Sequence, residues 1–145
     1  MTVQRTLVLC KPDAIQRRLG GEILARLEKT GVKIVAMRML WMDTKLAKRH
    51  YAVHEGKPFF DSLIKYITSG PVIAAVFEGE KAIATVRQAM GATDPATAAA
   101  GTIRGDLAES IERNLVHGSD GEETARVEIA NFFKAGEILD YKTVV

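Results

Sequence analysis

Two short apolar runs constrain this chain most. Thr6 to Cys10 and Val72 to Phe77 are too short for buried helices, and turn signals bound them: Lys11-Pro12-Asp13 follows the first and Gly70-Pro71 precedes the second. Such runs read as buried strands. Amphipathic stretches alternate with them. After Gly20-Gly21, Ile23, Leu24 and Leu27 share one helical face and Glu22, Arg26 and Lys29 the other, with Gly31 closing the helix. Val32 to Trp41 is a mixed apolar and basic strand with one face partly wet. Asp43 or Thr44 caps a helix through Tyr51, Pro58 starts another through Ile67, and a further helix spans about Lys81 to Met90. Gly91 to Gly105 reads as a long ordered loop, a type more often functional than decorative. A last strand falls near Asn114 to His117 and a last helix near Asp120 to Phe133.

The order β-α-β-α-α-β-α-loop-β-α predicts an α/β (α+β) sandwich, a small sheet covered by helices, compatible with the split βαβ arrangement of the ferredoxin-like type. With 145 residues, 47% of them hydrophobic, residues 1–145 read as one domain. No apolar run approaches the roughly 18–20 residues that cross a bilayer. The opening Met1-Thr2-Val3-Gln4-Arg5 lacks the apolar stretch of a secretory signal, and the single Cys10, expected to be a buried packing residue, suits a reducing cytoplasm. Twenty basic against eighteen acidic residues leave a net charge of +2, too little for an expected nucleic-acid partner.

Glu128 falls beside the apolar arc formed by Ala125, Ile129 and Phe132 on the last helix. A carboxylate there is costly unless paired, so it either reaches solvent, meets an arginine, or orients a histidine. His117 lies eleven positions earlier, at a strand end before Gly118-Ser119-Asp120-Gly121 and a helix N-terminus. Lys11, Arg87 and Arg104 supply cations suited to phosphate, although no G-x-x-x-x-G-K-[ST] or G-x-G-x-x-G cradle is present. His50 and His54 stand at i, i+4 spacing, which suits metal. No third ligand accompanies them, and Lys48, Arg49 and Lys57 mark a solvated surface. One ring of Phe59-Phe60 is expected in the core, the other free to stack on a planar ligand, and Met37, Met39 and Met42 read as packing residues.

Asn114-Leu115-Val116-His117-Gly118-Ser119-Asp120 resembles the N-x-x-H-G-S-D active-site signature of the nucleoside diphosphate kinases. Lys11-Pro12-Asp13, Tyr51 followed by Pro58-Phe59-Phe60, Ser69-Gly70-Pro71, Gly91-Ala92-Thr93-Asp94-Pro95 and Gly101-Thr102-Ile103-Arg104-Gly105-Asp106 resemble further family segments, in order, from about Arg5 to Phe133. The chain departs at Ala100, where members often carry proline, and at Asp94-Pro95, where the family has an N-P pair.

The resemblance implies transfer of the terminal phosphate from a nucleoside triphosphate to a nucleoside diphosphate, with His117 as the nucleophile that is phosphorylated and passes the group on. It implies that Glu128 and Ser119 hold the other ring nitrogen. Arg87, Thr93 and Arg104 would bind phosphates, and Lys11 and Tyr51 would flank the transferred group. Lys11 and Asn114 would reach the ribose. Phe59 would stack on the base opposite Ile111, so that every base is tolerated. Mg2+ would arrive with the nucleotide, and the chain would form a homo-oligomer, tetramer or hexamer. The same cations and Phe59 would also serve a binding module without chemistry, which would have no need of the whole catalytic set.

Overall fold

In the computed structural model, residues 3–144 are described; Met1 and Thr2, which open the segment read as lacking an export signal, and Val145 lie outside them. Four antiparallel strands form one sheet in the order β2-β3-β1-β4: β1 Val3–Cys10, β2 Lys33–Leu40, β3 Val72–Glu80 and β4 Val116–Gly118. Seven α-helices are described: α1 Pro12–Gln16, α2 Gly20–Glu28, α3 Thr44–His50, α4 Phe60–Ile67, α5 Ala82–Met90, α6 Ile103–Leu107 and α7 Glu122–Phe132.

The alternation along β1 decides the layering. Leu7 and Leu9 point into a core with α3, α4 and α7, whereas Val8 and Cys10 point into a second core with α1, α2, α5 and α6. All four of these residues are fully buried. The two apolar runs are therefore the central strands β3 and β1, paired from Val3 with Glu80 to Cys10 with Ile73. Cys10 is the packing residue expected, and burial pushes its thiol up to about 12. Asp43 caps α3, its Oδ1 accepting from the Leu46 amide at 2.7 Å.

Three expectations change. Lys11-Pro12-Asp13 is the start of the five-residue α1 and not a simple turn; Pro12, with its fixed φ, opens the helix at a position that needs no amide. The loop from Gly91 ends in α6, which Thr102 caps by accepting from the Gly105 amide at 3.1 Å, so Arg104 lies on a helix. Met42 is buried, but Met37 and Met39 are 55% and 60% exposed on β2, an outer strand that pairs only with β3. No helix among the described residues is long and apolar enough to cross a membrane.

The long loop is ordered by short-range bonds. The Asp94 Oδ1 accepts from the Ala96 amide at 3.0 Å, closing the turn that an asparagine would also close. Thr102 Oγ1 donates to the Ala99 carbonyl at 2.6 Å, and the Gly101 amide donates to Asp106 Oδ1 at 2.9 Å. Gly105 lies under this knot, where a Cβ would come within 2.1 Å of the Ala99 carbonyl oxygen. That contact is with backbone and cannot be relieved by a rotamer change. Gly105→Ala is expected to destabilise the protein by about 1–3 kcal/mol. Denaturant unfolding checks this, and a change under about 0.5 kcal/mol would mean that the loop yields freely.

Candidate active site

The sheet delivers the site through β1 and β4. His117 is the middle residue of β4 and pairs with Leu9 of β1. Its neighbour Gly118 is closed in by α5: a Cβ there would stand 2.6 Å from the Met90 sulfur. One helix turn away from β1, Asp13 accepts from the Leu115 amide through Oδ2 at 3.2 Å and from the Tyr66 hydroxyl through Oδ1. The Lys11 amide donates to the Leu115 carbonyl at 2.8 Å. Between these anchors Leu115 takes a left-handed backbone (φ 74°), unusual for a residue with a branched side chain. The anchored residue is two positions before His117. Asp13 and Tyr66 therefore belong to the site's foundation. Sequence reasoning passed over them, and only the adjacency of Asp13 to Lys11-Pro12 hinted at a role.

His117 Nε2 and Glu128 Oε1 lie 2.9 Å apart. Glu128 comes from the buried face of α7, shared with Ala125 and Phe132. The same oxygen accepts from Ser119 Oγ at 2.7 Å, and Ser119 Oγ accepts in turn from the Leu7 amide at 3.1 Å. Burial opposes ionisation of Glu128, but the hydrogen bonds from His117 and Ser119 and the nearby imidazoles outweigh it, holding the carboxyl below the usual range. An ionised carboxylate only accepts, so Nε2 carries the proton and the lone pair resides on Nδ1. Of the readings open for Glu128, the structure selects the one in which it orients a histidine.

The cations are held by backbone oxygens. Buried Arg104 donates from Nη2 to the Val116 carbonyl at 2.6 Å and from Nη1 to the Gly91 carbonyl at 3.1 Å. Burial first, and then the charge of Arg87, push its guanidinium down to about 10. Exposed Arg87 reaches the Gly118 carbonyl at 3.4 Å. Lys11 Nζ donates to Asn114 Oδ1 at 2.9 Å, and Asn114 Nδ2 donates to the Thr93 carbonyl at 3.3 Å. Burial, then the charge of Arg104, bring the Lys11 ammonium down to about 8, with Asp13 opposing. These cations therefore stand in mutual repulsion, without a carboxylate between Lys11 and Arg104. That arrangement is poised for an anion.

A cavity of about 750 Å³ opens onto these groups. Ten of the eleven residues singled out in the sequence line it: Lys11, Tyr51, Phe59, Arg87, Thr93, Arg104, Ile111, Asn114, His117 and Glu128. Ser119 stands behind Glu128, fully buried. Phe60 is in the core, while Phe59 is 49% and Ile111 58% exposed, two apolar surfaces at the mouth. The buried Tyr51 hydroxyl has no hydrogen-bond partner among the described residues, and burial raises it well above the ordinary phenol value.

His50 is where the sequence reading fails. It ends α3, and His54 belongs to the separate 3-10 turn Ala52–His54, so the two do not share one helix. His50 is buried, with its ring centroid 4.8 Å from that of His117 at 81° and 5.5 Å from that of Phe132. Burial first, then the field of His117, push its imidazole down to about 3. The neighbouring Lys48 and Arg49 are exposed, which made the whole segment look wet.

The sequence from 4 to 138 matches the family model described as nucleoside diphosphate kinase. A nucleoside diphosphate kinase of Dehalococcoides mccartyi is 56% identical over 139 residues, covering 96% of this chain and 98% of the relative. The solved structure of a halophilic nucleoside diphosphate kinase from Halobacterium salinarum in complex with CDP superposes with a TM-score of 0.95 at 50% identity, covering 99% of this chain and 95% of that one. A nucleoside diphosphate kinase family protein from Babesia bovis gives a TM-score of 0.94 at 38% identity, covering 97% and 95%. With sequence and overall structure in agreement, the chain is an enzyme of phosphate transfer between nucleotides and belongs to the nucleoside diphosphate kinase family.

Proposed function

We propose that the chain, acting as one catalytic domain, transfers the terminal phosphate of a nucleoside triphosphate to a nucleoside diphosphate by a ping-pong route through a phosphohistidine at His117. The observation that carries this reading is the 2.9 Å contact of His117 Nε2 with Glu128, which leaves the Nδ1 lone pair as nucleophile. The nucleotide-bound state of the Halobacterium salinarum relative supports a nucleotide in the equivalent cavity.

Nδ1 attacks the terminal phosphorus, the bond to the bridging oxygen breaks, and a nucleoside diphosphate leaves with the electron pair. The phosphorylated ring, still protonated at Nε2, is cationic, and the Glu128 carboxylate stabilises it. A second diphosphate then reverses the step. Arg87, Thr93 and Arg104 bind phosphates and spread the developing charge. Lys11 and the unpartnered Tyr51 hydroxyl face the transferred group. Lys11 and Asn114 exchange their mutual bond for the ribose. Phe59 and Ile111 grip the base by its faces, which tolerates every base. Mg2+ enters on the nucleotide phosphates, because Lys11, Arg87 and Arg104 dominate the phosphate end, Glu128 is engaged with His117 and Ser119, and the other lining carboxylates, Asp120 and Glu112, are exposed. A reduced Cys10 and this substrate class favour the cytoplasm as the place of action.

The direct test pulses the protein with Mg2+ and terminally labelled ATP, isolates it, and adds GDP. Acid-labile, alkali-stable label that leaves as GTP is expected, and His117→Ala is expected to lose at least about a thousandfold of the exchange with its fold intact. Appreciable turnover by the variant would remove His117 as nucleophile.

The titration of Lys11 near pH 8 predicts a pH dependence. The groups facing it are Arg104, Asp13 and Asn114. The free protein loses this charge as pH rises, so triphosphate affinity is expected to weaken by about tenfold from pH 7 to 9. Lys11→Gln is expected to bind less tightly throughout and to show no such slope. Calorimetry at several pH values decides it, and equal slopes would assign the titration elsewhere.

A homo-oligomer is supported by exposed Met37 and Met39 on the outer strand and exposed Trp41 just past its end. The mass in solution is expected at four or six times 15.8 kDa. A Met37→Glu, Met39→Glu double variant that left the mass unchanged would place the contact on another face.

A further inference from the structure

The cavity floor holds one group that phosphoryl transfer leaves without work. Both ring nitrogens of His50 are buried and, among the described residues, without a hydrogen-bond partner. A neutral imidazole has one donor and one acceptor, and leaving both unmet in a core costs free energy. A phenylalanine would pack against His117, Tyr51 and Phe132 without that cost. The ring lines the cavity beside His117 and Glu128, and one donor atom from each of the three lies within 4.8 Å of the others. The sequence pairs His50 with His54 and finds no third ligand. The fold pairs it instead with His117, and supplies the carboxylate from α7.

We propose that His50, His117 and Glu128 form a regulatory site for one divalent transition ion of the zinc class, and that the ion silences His117. Two imidazoles and a carboxylate, with the fourth position open to the cavity, suit tetrahedral Zn2+ and not the hard Mg2+ ion, which selects oxygen. Donors bound to one tetrahedral ion stand about 3.3 Å apart, given bonds of roughly 2.0–2.1 Å. The His117–Glu128 pair is already that close at 2.9 Å. Donor atoms that lie at most 4.8 Å apart must close by no more than about 1.5 Å to reach that spacing.

The proton balance gives the mechanism of silencing. Zn2+ accepts a lone pair from each imidazole and from the carboxylate. At His117 the ion takes the place of the Nε2 proton, which moves to Nδ1, so the ring stays neutral and no proton need leave the site. Nδ1–H has no lone pair to attack phosphorus. Ligation at Nδ1 itself would occupy the same lone pair. Metal binding stands without any assumption about turnover; the silencing rests on the phosphohistidine reading above.

Metal-stripped full-length protein is titrated with Zn2+ by calorimetry in the absence of nucleotide. One ion per chain is expected, with binding weakened at least tenfold in His50→Phe and unchanged in His54→Gln. Nitrogen NMR of the wild type needs no variant: Zn2+ is expected to shift the imidazole signals of His50 and His117 and to spare those of His54. Zinc added before the magnesium nucleotide is expected to cut phosphoenzyme formation at least tenfold, reversibly with chelator. Failure of the wild type to bind, binding by His50→Phe within twofold of wild type, or unshifted His50 signals would overturn the site. A metal-free protein that takes no phosphate from ATP would instead overturn the phosphohistidine reading and leave the zinc site standing.

Discussion

The carboxylate of Glu128 is the pivot of this molecule. It is buried on α7 and accepts from His117 and Ser119 on a single oxygen, while Ser119 accepts from the Leu7 amide of the central strand. Helix, strand end and sheet are thus tied through one charge. Removing Glu128 would leave the Ser119 hydroxyl with Leu7 alone and release the ring of His117 at once, so core stability and the orientation of that ring have the same origin. The partial apolar character of α7, with Glu128 between Ala125 and Phe132, is the local cost of that tie.

The cations show the opposite economy. Lys11 and Arg104 are buried with guanidinium and ammonium groups bonded only to carbonyls and an amide oxygen. For Lys11, whose folded value of about 8 lies below 10.5, the unfolded chain binds more protons between those two values, so this group's destabilising contribution is full below pH 8 and fades as pH rises toward 10.5. The fold therefore carries its largest electrostatic cost at the pH where a bound polyanion would relieve it. Ligand binding and stabilisation are then linked, because whatever neutralises Lys11 and Arg104 acts only on the folded chain.

Much of this was legible in the sequence where one local signal acts alone. The runs at Thr6 and Val72 gave strands because short apolar runs bounded by turn residues are too short for buried helices and suit the centre of a sheet. Asp43 gave its cap, and Phe59-Phe60 split into an outer and an inner ring as a two-residue step near a helix start requires. What failed needed tertiary information. The five residues of α1 hold too little periodicity to separate helix from turn, and α6 depends on Thr102 finding the Gly105 amide. His50 among Lys48 and Arg49 has the local composition of a surface, yet α3 turns that one position inward against His117. The motif located the chemistry, while the groups that support it, Asp13 and Tyr66, lie far apart in sequence.

Those supports explain why the site is built on strand ends and not on a mobile loop. Leu115 is held in a left-handed backbone by bonds from Lys11 and to Asp13, and both of those residues follow directly from β1. Since β1 is also paired with β4 at His117, this histidine, the lysine and the strained residue Leu115 are positioned by a single strand. Any shift of β1 would move Lys11 and His117 together and preserve their spacing. Phosphoryl transfer asks for positioning and charge more than for covalent assistance, and a shared strand supplies positioning that loop fluctuations do not erode. Phe59 and Ile111 lie outside this strand frame, with exposed side chains at the mouth of the cavity. The backbone anchors are thus gathered around Lys11, Arg104 and His117.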